Sequence, residues 1–138
     1  MIVSTKGRYA LRVMVVLALA DRDTYIPLKE IAESENISQK YLEAIMGSLS
    51  KAGYVDAVHG KGGGYRLNRE PAQYTIGSIL KLTEGSLAAV PCTEQGPAAC
   101  SRATCCQTKP MWDKLDQMID DFFEEITLQD LLNNAEPA

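Results

Sequence analysis

Four cysteines are the residues whose type and spacing point most directly to chemistry. They follow a C-x7-C-x4-C-C pattern within fifteen residues, at Cys92, Cys100, Cys105 and Cys106. Thiolates are preferred ligands of iron-sulfur clusters and of zinc, but the C-x2-4-C knuckles usual in zinc fingers are missing. The pattern predicts metal ligation or thiol redox sensing rather than unrelated buried thiols. Because adjacent side chains diverge, only one of Cys105 and Cys106 is expected to be a primary ligand.

A second stretch with chemical content is HGKGGGYRL, from His59 to Leu67, which combines four glycines with two cations. A phosphate-binding loop of the Walker type requires a strand, then glycines, then Lys-Ser/Thr at the start of a helix. No serine or threonine follows Lys61, and an alternating pattern resumes at Tyr65. We therefore predict the tip of a β-hairpin, or wing, rather than a nucleotide-binding loop.

The sequence offers no catalytic constellation of the Ser/His/Asp or Cys/His type. The single histidine, His59, falls in the glycine stretch and is expected at the surface. Acidic residues near the C-terminus are better explained as a solvated helix face than as paired catalytic carboxylates. The chain is predicted not to be an enzyme.

Three helices are predicted before the glycine stretch. A first helix runs from Thr5 to Ala20, with apolar residues at three- and four-residue spacing. Pro27 is expected to begin a short second helix, and Ser38 is a good N-cap for a third that ends at Gly53. The third helix has an apolar inward stripe and a polar outward face that carries Gln39, Lys40, Glu43, Ser48 and Lys51.

The second and third helices form a helix-turn-helix pattern, although an ordinary packed helix pair looks similar. Two alternating segments, YVDAV and YRLNR, flank the glycines and predict a two-stranded wing. The wing and the basic first helix favour DNA binding, since a recognition helix fits the major groove and a wing can follow phosphates or enter the minor groove. The polar wing residues that could do this are His59, Lys61, Arg66 and the nearby Arg69.

The rest of the chain predicts a sensor loop and a long helix. Thr75 caps a further helix, residues 85–109 have loop composition and carry every cysteine, and Pro110 opens a long helix. Thr127 with Asp130 resembles a capping box for a last short helix. The predicted fold class is mainly α, with a winged helix-turn-helix DNA-binding domain (1–84), a cysteine-rich loop (85–109) and a C-terminal dimerisation region (110–138).

The long C-terminal helix carries an apolar stripe at spacings of 3, 4, 3 and 4, made by Trp112, Leu115, Ile119, Phe122 and Ile126. Intramolecular core is the alternative explanation for two heptads of such a stripe. The other face is strongly acidic and would be repelled by DNA, so we favour a projecting helix that pairs with a second copy. A two-fold homodimer would present two recognition helices to a palindromic duplex.

Charge is distributed unevenly along the chain. The formal net charge is -4, but residues 1–70 carry +2 and residues 71–138 carry -6. The N-terminal RVMVVLALAD resembles a secretory signal, yet Arg12 shortens its apolar run to about eight residues, near the lower limit for such a signal. No stretch approaches the roughly 20 apolar residues of a membrane span. A cytoplasmic protein without a membrane partner is expected, where thiols stay reduced.

Four motifs in order, STKGRYAL, YLEAI, GGGYRL and ITLQDLL, resemble the Rrf2 family of bacterial winged-helix regulators over nearly the whole chain. The resemblance implies a homodimeric transcriptional regulator. Matching positions imply backbone contacts from Ser4, Lys6 and Tyr9, and a minor-groove site at His59. The residues implied for the major groove are Ser38, Lys40, Tyr41 and Glu43. Glu43 would set sequence preference, because a carboxylate accepts from cytosine amino groups.

In the cluster-binding branch of this family, three cysteines and a histidine precede the tryptophan that begins the long helix. Cys92, Cys100 and Cys106 match those cysteines, which implies a 2Fe-2S cofactor. Lys109 stands in place of the histidine, so the fourth ligand would be Cys105, solvent, a partner or another side chain.

Two alternatives remain open at this point. The cysteine-metabolism branch of the family implies a regulator without a cluster, whose input is a partner protein or a dithiol switch. A different class of protein, an iron-sulfur or zinc carrier with a vestigial helix-turn-helix, is also compatible with the cysteines.

Overall fold

A computed structural model describes residues 3–90 and 106–134. Within these ranges the chain forms six α-helices and one two-stranded antiparallel sheet. In chain order the elements are α1 (Thr5–Leu19), α2 (Leu28–Glu35), α3 (Gln39–Lys51), β1 (Val55–Val58), β2 (Gly64–Leu67), α4 (Ile76–Glu84), α5 (Lys109–Glu125) and α6 (Leu128–Asn133). The mainly α winged-helix prediction is confirmed.

Local sequence signals produce the helix-turn-helix. Asn36 ends α2 in the left-handed region at φ 53, where its amide donates to the carbonyls of Ala32 and Glu33. The Ser38 hydroxyl then accepts from the Tyr41 amide at 3.2 Å and caps α3. The inward stripe of α3 is fully buried and consists of Leu42, Ile45, Met46 and Leu49. The predicted cap and stripe are both confirmed.

The wing is attached to the helices by one further backbone pairing. Strand β1 pairs with β2 from Val55↔Leu67 to Val58↔Gly64, and the glycine tract forms the turn. Ile26, just before α2, exchanges two backbone hydrogen bonds of 2.9 Å with Tyr65. A side chain at Gly64 would collide with the Ile26 carbonyl, so glycine is required where these backbones approach. The base of the wing is therefore fixed against the start of α2.

The core gathers around α1. Ala10, Val13 and Met14 of α1 are fully buried together with apolar residues of α2, α3, α4 and the wing. Leu128 of α6 belongs to the same cluster and is also fully buried. The C-terminal segment thus packs into the same core as the helix-turn-helix.

A second apolar cluster joins α4 to α5. Ile76 and Leu80 of α4 pack with Leu87, and Ile119, Phe123 and Ile126 lie against them. Next to it, Thr75 and Thr127 form an isolated backbone bridge. The predicted capping box of α6 is confirmed, with bonds of 3.2 and 2.9 Å between Thr127 and Asp130.

Several element boundaries differ from the sequence predictions by one or two residues. Pro27 precedes α2 as its N-cap residue, and α5 begins at Lys109, one residue before Pro110. A short 3-10 turn at Pro71–Gln73 was not predicted. Three residues are too few to show a periodic pattern in the sequence, and the turn is stabilised by a capping box between Glu70 and Gln73. None of the helices in the described ranges is long and apolar enough to cross a bilayer.

Candidate nucleic-acid interface

The outward face of α3 is polar and exposed. Gln39, Lys40 and Glu43 all lie on this face, and Lys51 is exposed at its C-terminal end. Gly47 lies between them, and a Cβ atom there would meet nothing within 4 Å. The face is therefore low in its middle and carries charge and hydrogen-bonding groups around it, as a recognition helix requires.

The start of α1 lies beside α3. Lys6 Nζ is 3.4 Å from the Ser48 hydroxyl of α3. The rings of Tyr9 and Tyr41 meet edge to face, with centroids 5.8 Å apart. A cleft of about 310 Å³ separates the two helices at the surface, and its lining includes Thr5, Tyr9, Asn36, Ser38 and Tyr41.

Arg12 holds α1 against the turn of the helix-turn-helix. Its guanidinium donates to the Glu35 carboxylate at 3.2 Å and to the Glu35 backbone carbonyl at 2.9 Å. It also lies 5.3 Å from the centre of the Tyr9 ring. Sequence reasoning did not assign Arg12 a place in the site, because its partner is 23 positions away. The only sequence signal was the cluster of three basic residues in α1.

The tip of the wing lies across a cleft from the starts of α2 and α3. His59 and Lys61 are exposed. A cleft of about 290 Å³ separates the wing from the starts of α2 and α3, and His59, Lys29 and Gln39 are among its lining residues. The beginning of α3 thus lies between the start of α1 and the wing.

Arg66 and Arg69 are held at the base of the wing. Arg66 is 3.7 Å from the Asp56 carboxylate and 4.4 Å from the centre of the Tyr25 ring. Arg69 donates to the Gly53 carbonyl at 3.0 Å and lies over the Tyr54 ring. Both cations are therefore engaged within the chain, and the phosphate contacts predicted for them from sequence stay predictions.

Ser4 is engaged as well. Its amide and its hydroxyl both donate to Oε1 of Glu84, at 2.8 and 2.7 Å. The hydroxyl also accepts from the Gly7 amide at 3.2 Å and so caps α1. The predicted contact of Ser4 with a DNA backbone would have to share these partners.

The acidic face of α5 is not simply solvated. Asp120 and Glu124 lie 2.5 and 3.1 Å from Lys81 Nζ of α4, and Asp116 accepts from the Ala89 amide at 2.7 Å. The hydrogen bond to Asp120 is the main cause that raises the pKa of Lys81 above its usual value. Part of this acidic face therefore joins α5 to α4, which corrects the prediction of a solvated face.

The apolar stripe predicted on α5 divides between two faces. Ile119 and Ile126 pack into the second apolar cluster of this same chain, and Trp112 is half-buried. Leu115 and Phe122 are 37% and 59% exposed. Met111 and Met118 complete a separate exposed row at spacings of 4, 3 and 4, with 56% and 60% exposure. Core packing and an unpartnered apolar row thus coexist on one helix.

Of the four cysteines, Cys106 lies within the described residues, whereas Cys92, Cys100 and Cys105 lie outside them. Cys106 Sγ is 3.1 Å from the Thr108 hydroxyl. Hydrogen bonding to the side chain of Thr108, and then to backbone amides, lowers the pKa of the Cys106 thiol. The Lys109 ammonium donates to Asp113 at 2.6 Å. Over residues 3–90 and 106–134, no three potential metal ligands come together.

A helix-turn-helix with an exposed polar second helix, followed by a glycine-tipped hairpin, defines a winged-helix DNA-binding regulator. The profile of the Rrf2 family, described as an iron-dependent transcriptional regulator, matches residues 3–134. The chain belongs to the Rrf2 family, as the sequence motifs predicted. It is a DNA-binding transcriptional regulator rather than an enzyme.

Individual relatives support this assignment. The HTH-type transcriptional regulator IscR of Vibrio campbellii is 38% identical over 133 residues, which cover 96% of this chain and 78% of that protein. The structure of CymR, the global cysteine regulator of B. subtilis, gives a TM-score of 0.78 at 32% identity and covers 99% of both chains. The structure of T. potens IscR gives 0.77 at 37% identity, covering 99% of this chain and 89% of that one.

Proposed function

We propose that this regulator binds palindromic double-stranded DNA as a homodimer, with α3 in the major groove. The observation that carries the proposal is the position of the start of α3, which lies between α1 and the wing and shares one cleft with each. Three basic elements can thereby follow consecutive parts of a duplex. This arrangement suits phosphate contacts on both sides of a base-reading helix.

The residues of this surface suit different tasks. Lys6, Lys40 and Lys61 are cations that can neutralise phosphates, and His59 at the wing can enter the minor groove. Glu43 would read bases, since a carboxylate accepts from cytosine and is repelled by phosphate. Other members of the proposed surface are Ser4, Tyr9, Ser38, Gln39, Tyr41 and Arg66, of which Tyr9 and Arg66 support neighbouring groups.

DNA binding can be tested by fluorescence anisotropy over a range of salt concentrations, with duplexes selected from a random pool. Lys40→Ala and Lys61→Ala should each reduce the slope of log affinity against log salt by about 1, because each removes one phosphate contact. Lys114→Ala, which removes an exposed lysine of α5, is the matched control and should leave the slope unchanged. Wild-type slopes in both test variants would contradict the proposed surface.

The exposed row of α5 supports the homodimer. Four large apolar side chains at heptad-like spacing are more than a surface helix usually leaves in water. The same row on a second copy would cover them in a self-complementary way. We assign the dimer contact to Met111, Leu115, Met118 and Phe122, with the half-buried Trp112 beside them, while Ile119 and Ile126 pack inside the chain.

For the regulatory input, we infer a 2Fe-2S cluster held by Cys92, Cys100 and Cys106. The lowered pKa of Cys106 favours the thiolate that a cluster requires. Lys109 is engaged with Asp113 and is a poor ligand, so the fourth ligand would be Cys105, solvent, a partner or another side chain. A bound cluster would supply an iron centre that responds to oxidants and to iron supply. Cys106 lies three residues before α5, so ligation there would alter the start of that helix; a coupling of about 1–3 kcal/mol is enough for regulation.

A thiol switch or a protein partner, without a cluster, is the second candidate for the input. It is favoured by Lys109 in place of a ligand and by the similarity to the oxidised form of Staphylococcus aureus CymR, with a TM-score of 0.76 and 33% identity. Iron and sulfide analysis of anaerobically purified protein separates the two. About one cluster per chain, lost in Cys106→Ser, supports ligation, whereas iron-free protein whose thiols are lost under mild oxidant supports the switch.

A further inference from the structure

Glu84 is the last residue of α4, and its carboxylate reaches the first turn of α1. One oxygen, Oε1, accepts both the amide and the hydroxyl of Ser4, at 2.8 and 2.7 Å. The Ser4 hydroxyl in turn accepts from the Gly7 amide at 3.2 Å. The beginning of α1 is therefore tied to the end of α4 by a short hydrogen-bonded path across 80 residues of sequence.

The first turn of α1 is shaped to receive this carboxylate. Gly7 is buried, and a Cβ at this position would collide with Oε1 of Glu84. The first turn of α1 has no acidic residue of its own, so Glu84 supplies the negative charge that a helix N-terminus favours. The contact thus has both a steric and an electrostatic basis.

The contact fixes a part of the proposed DNA surface. Residues Thr5 and Lys6 follow Ser4 directly, and Lys6 Nζ lies 3.4 Å from Ser48 of α3. The direction in which α1 starts decides where the Lys6 ammonium lies relative to the recognition helix. Ser4 donates its hydroxyl proton to Glu84, so its main contribution in this arrangement is to hold the helix start.

We propose that Glu84 is a positioning residue for DNA binding, which acts through Ser4 to hold Lys6 beside α3. This inference rests on the proposed function. It predicts that removing the Glu84 carboxylate weakens DNA binding. Charge alone predicts the opposite, because a carboxylate near DNA repels the phosphates and its removal would strengthen binding.

The test compares DNA affinity and its salt dependence in four variants. Glu84→Ala should weaken binding by about fivefold or more, within the range of site-to-site coupling, and should lower the salt slope by about 1, as Lys6→Ala does. The double variant Lys6→Ala/Glu84→Ala should resemble either single variant, because both changes act on one contact. Glu33→Ala, which removes an exposed acid of α2, controls for charge and should bind as well as wild type or more tightly.

Two conservative variants separate positioning from folding. Glu84→Gln keeps an oxygen that can accept both Ser4 bonds and should restore most of the affinity. Glu84→Asp keeps the charge but shortens the side chain by one methylene, and it should weaken binding and lower the slope even if Glu84→Ala does not fold. Wild-type binding and slope in Glu84→Asp and Glu84→Ala would overturn the inference. Wild-type protein that binds no selected duplex would instead overturn the proposed function.

Discussion

At the scale of single residues, a side-chain contact could be predicted from sequence when its two residues are close together along the chain, and not when they are far apart. Ser38 and Thr127 cap their helices as predicted, because each bonds to an amide three residues later. Arg66 and Arg69 were grouped with the wing cations, but they lie against Tyr25 and Tyr54. A sequence shows that a cation is present, but it does not show which distant ring or carboxylate the folded chain brings to it.

Tyr74 gives a prediction about pH at this scale. It is fully buried, its hydroxyl donates to the Tyr54 carbonyl at 2.8 Å, and burial raises its pKa above the usual 10.0. The folded state therefore keeps the phenol proton at a pH where the unfolded chain loses it. This contribution is complete below about pH 10 and is lost as the pH rises through the folded-state pKa.

Tyr74→Phe should lower the free energy of unfolding by about 1–2 kcal/mol near neutral pH, because the Tyr54 carbonyl and Asn68 lose a buried partner. The variant should then lose less stability than wild type as the pH rises above about 10. Urea unfolding followed by circular dichroism on both proteins would measure both effects. Parallel pH curves for the two proteins would contradict the assignment.

At the scale of elements, the helices and strands that have a clear periodic pattern or cap were predicted correctly. The sequence did not show which apolar side chains of α5 pack inside the chain and which are exposed. Helices α1 to α4 and the hairpin each carry their own signals of period, cap or turn. The stripe on α5 was taken as one seam, yet α4 covers Ile119 and Ile126 while Met111 and Met118 are exposed. The two apolar faces of α5 are about a quarter turn apart, so in the sequence their residues merge into one apolar pattern. Only the position of α4 in the fold shows which face is buried and which is exposed.

The surface of α3 gives a prediction at the element scale. Gly47 lies in the helix without a left-handed φ, and a Cβ there would meet nothing within 4 Å. Gly47→Ala should therefore raise the free energy of unfolding by about 0.5–1 kcal/mol. If this face enters the groove, the added methyl group should at the same time weaken DNA binding.

Ala44→Gly, at another exposed position of α3, is the matched control for helix propensity. It should lower stability by a similar amount, about 0.5–1 kcal/mol. Denaturant unfolding and anisotropy measured on the same samples would separate the two effects. A Gly47→Ala protein that is less stable than wild type would contradict the prediction, because it would mean that the added methyl group is crowded at this position.

At the scale of the whole molecule, the basic surface and the exposed apolar row lie on different elements. The basic residues gather at α1, α3 and the wing. The acidic residues lie on α5, where two of them pair with Lys81 of α4, and the same helix carries the exposed apolar row. The uneven charge of the sequence predicted this separation. The pairing of Lys81 with α5 could not be predicted, because it joins residues some forty positions apart.

The proposed dimer gives the prediction at this scale. Met118→Asp and Phe122→Asp each place a charge in the exposed row and should convert the protein to monomer, since an unpaired charge in an apolar interface costs several kcal/mol. Gln117→Asp, an exposed position away from the row, is the control and should remain dimeric. Sedimentation velocity would measure the oligomeric state, and dimers in both test variants would contradict the assigned contact.

The arrangement at Glu84 has a counterpart at the other end of α4. There Thr75 donates to Glu124 of α5 at 3.0 Å, and a Cβ at Gly77 would collide with that glutamate, just as one at Gly7 would with Glu84. Hydrogen bonds from two glutamates therefore connect α5 to the start of α4 and the end of α4 to the start of α1. For anyone building chimeric regulators from this chain, a graft that keeps Glu84 with Ser4 and Glu124 with Thr75 would preserve the hydrogen bonds that link α1, α4 and α5, and a graft that replaces either glutamate would lose one of those links.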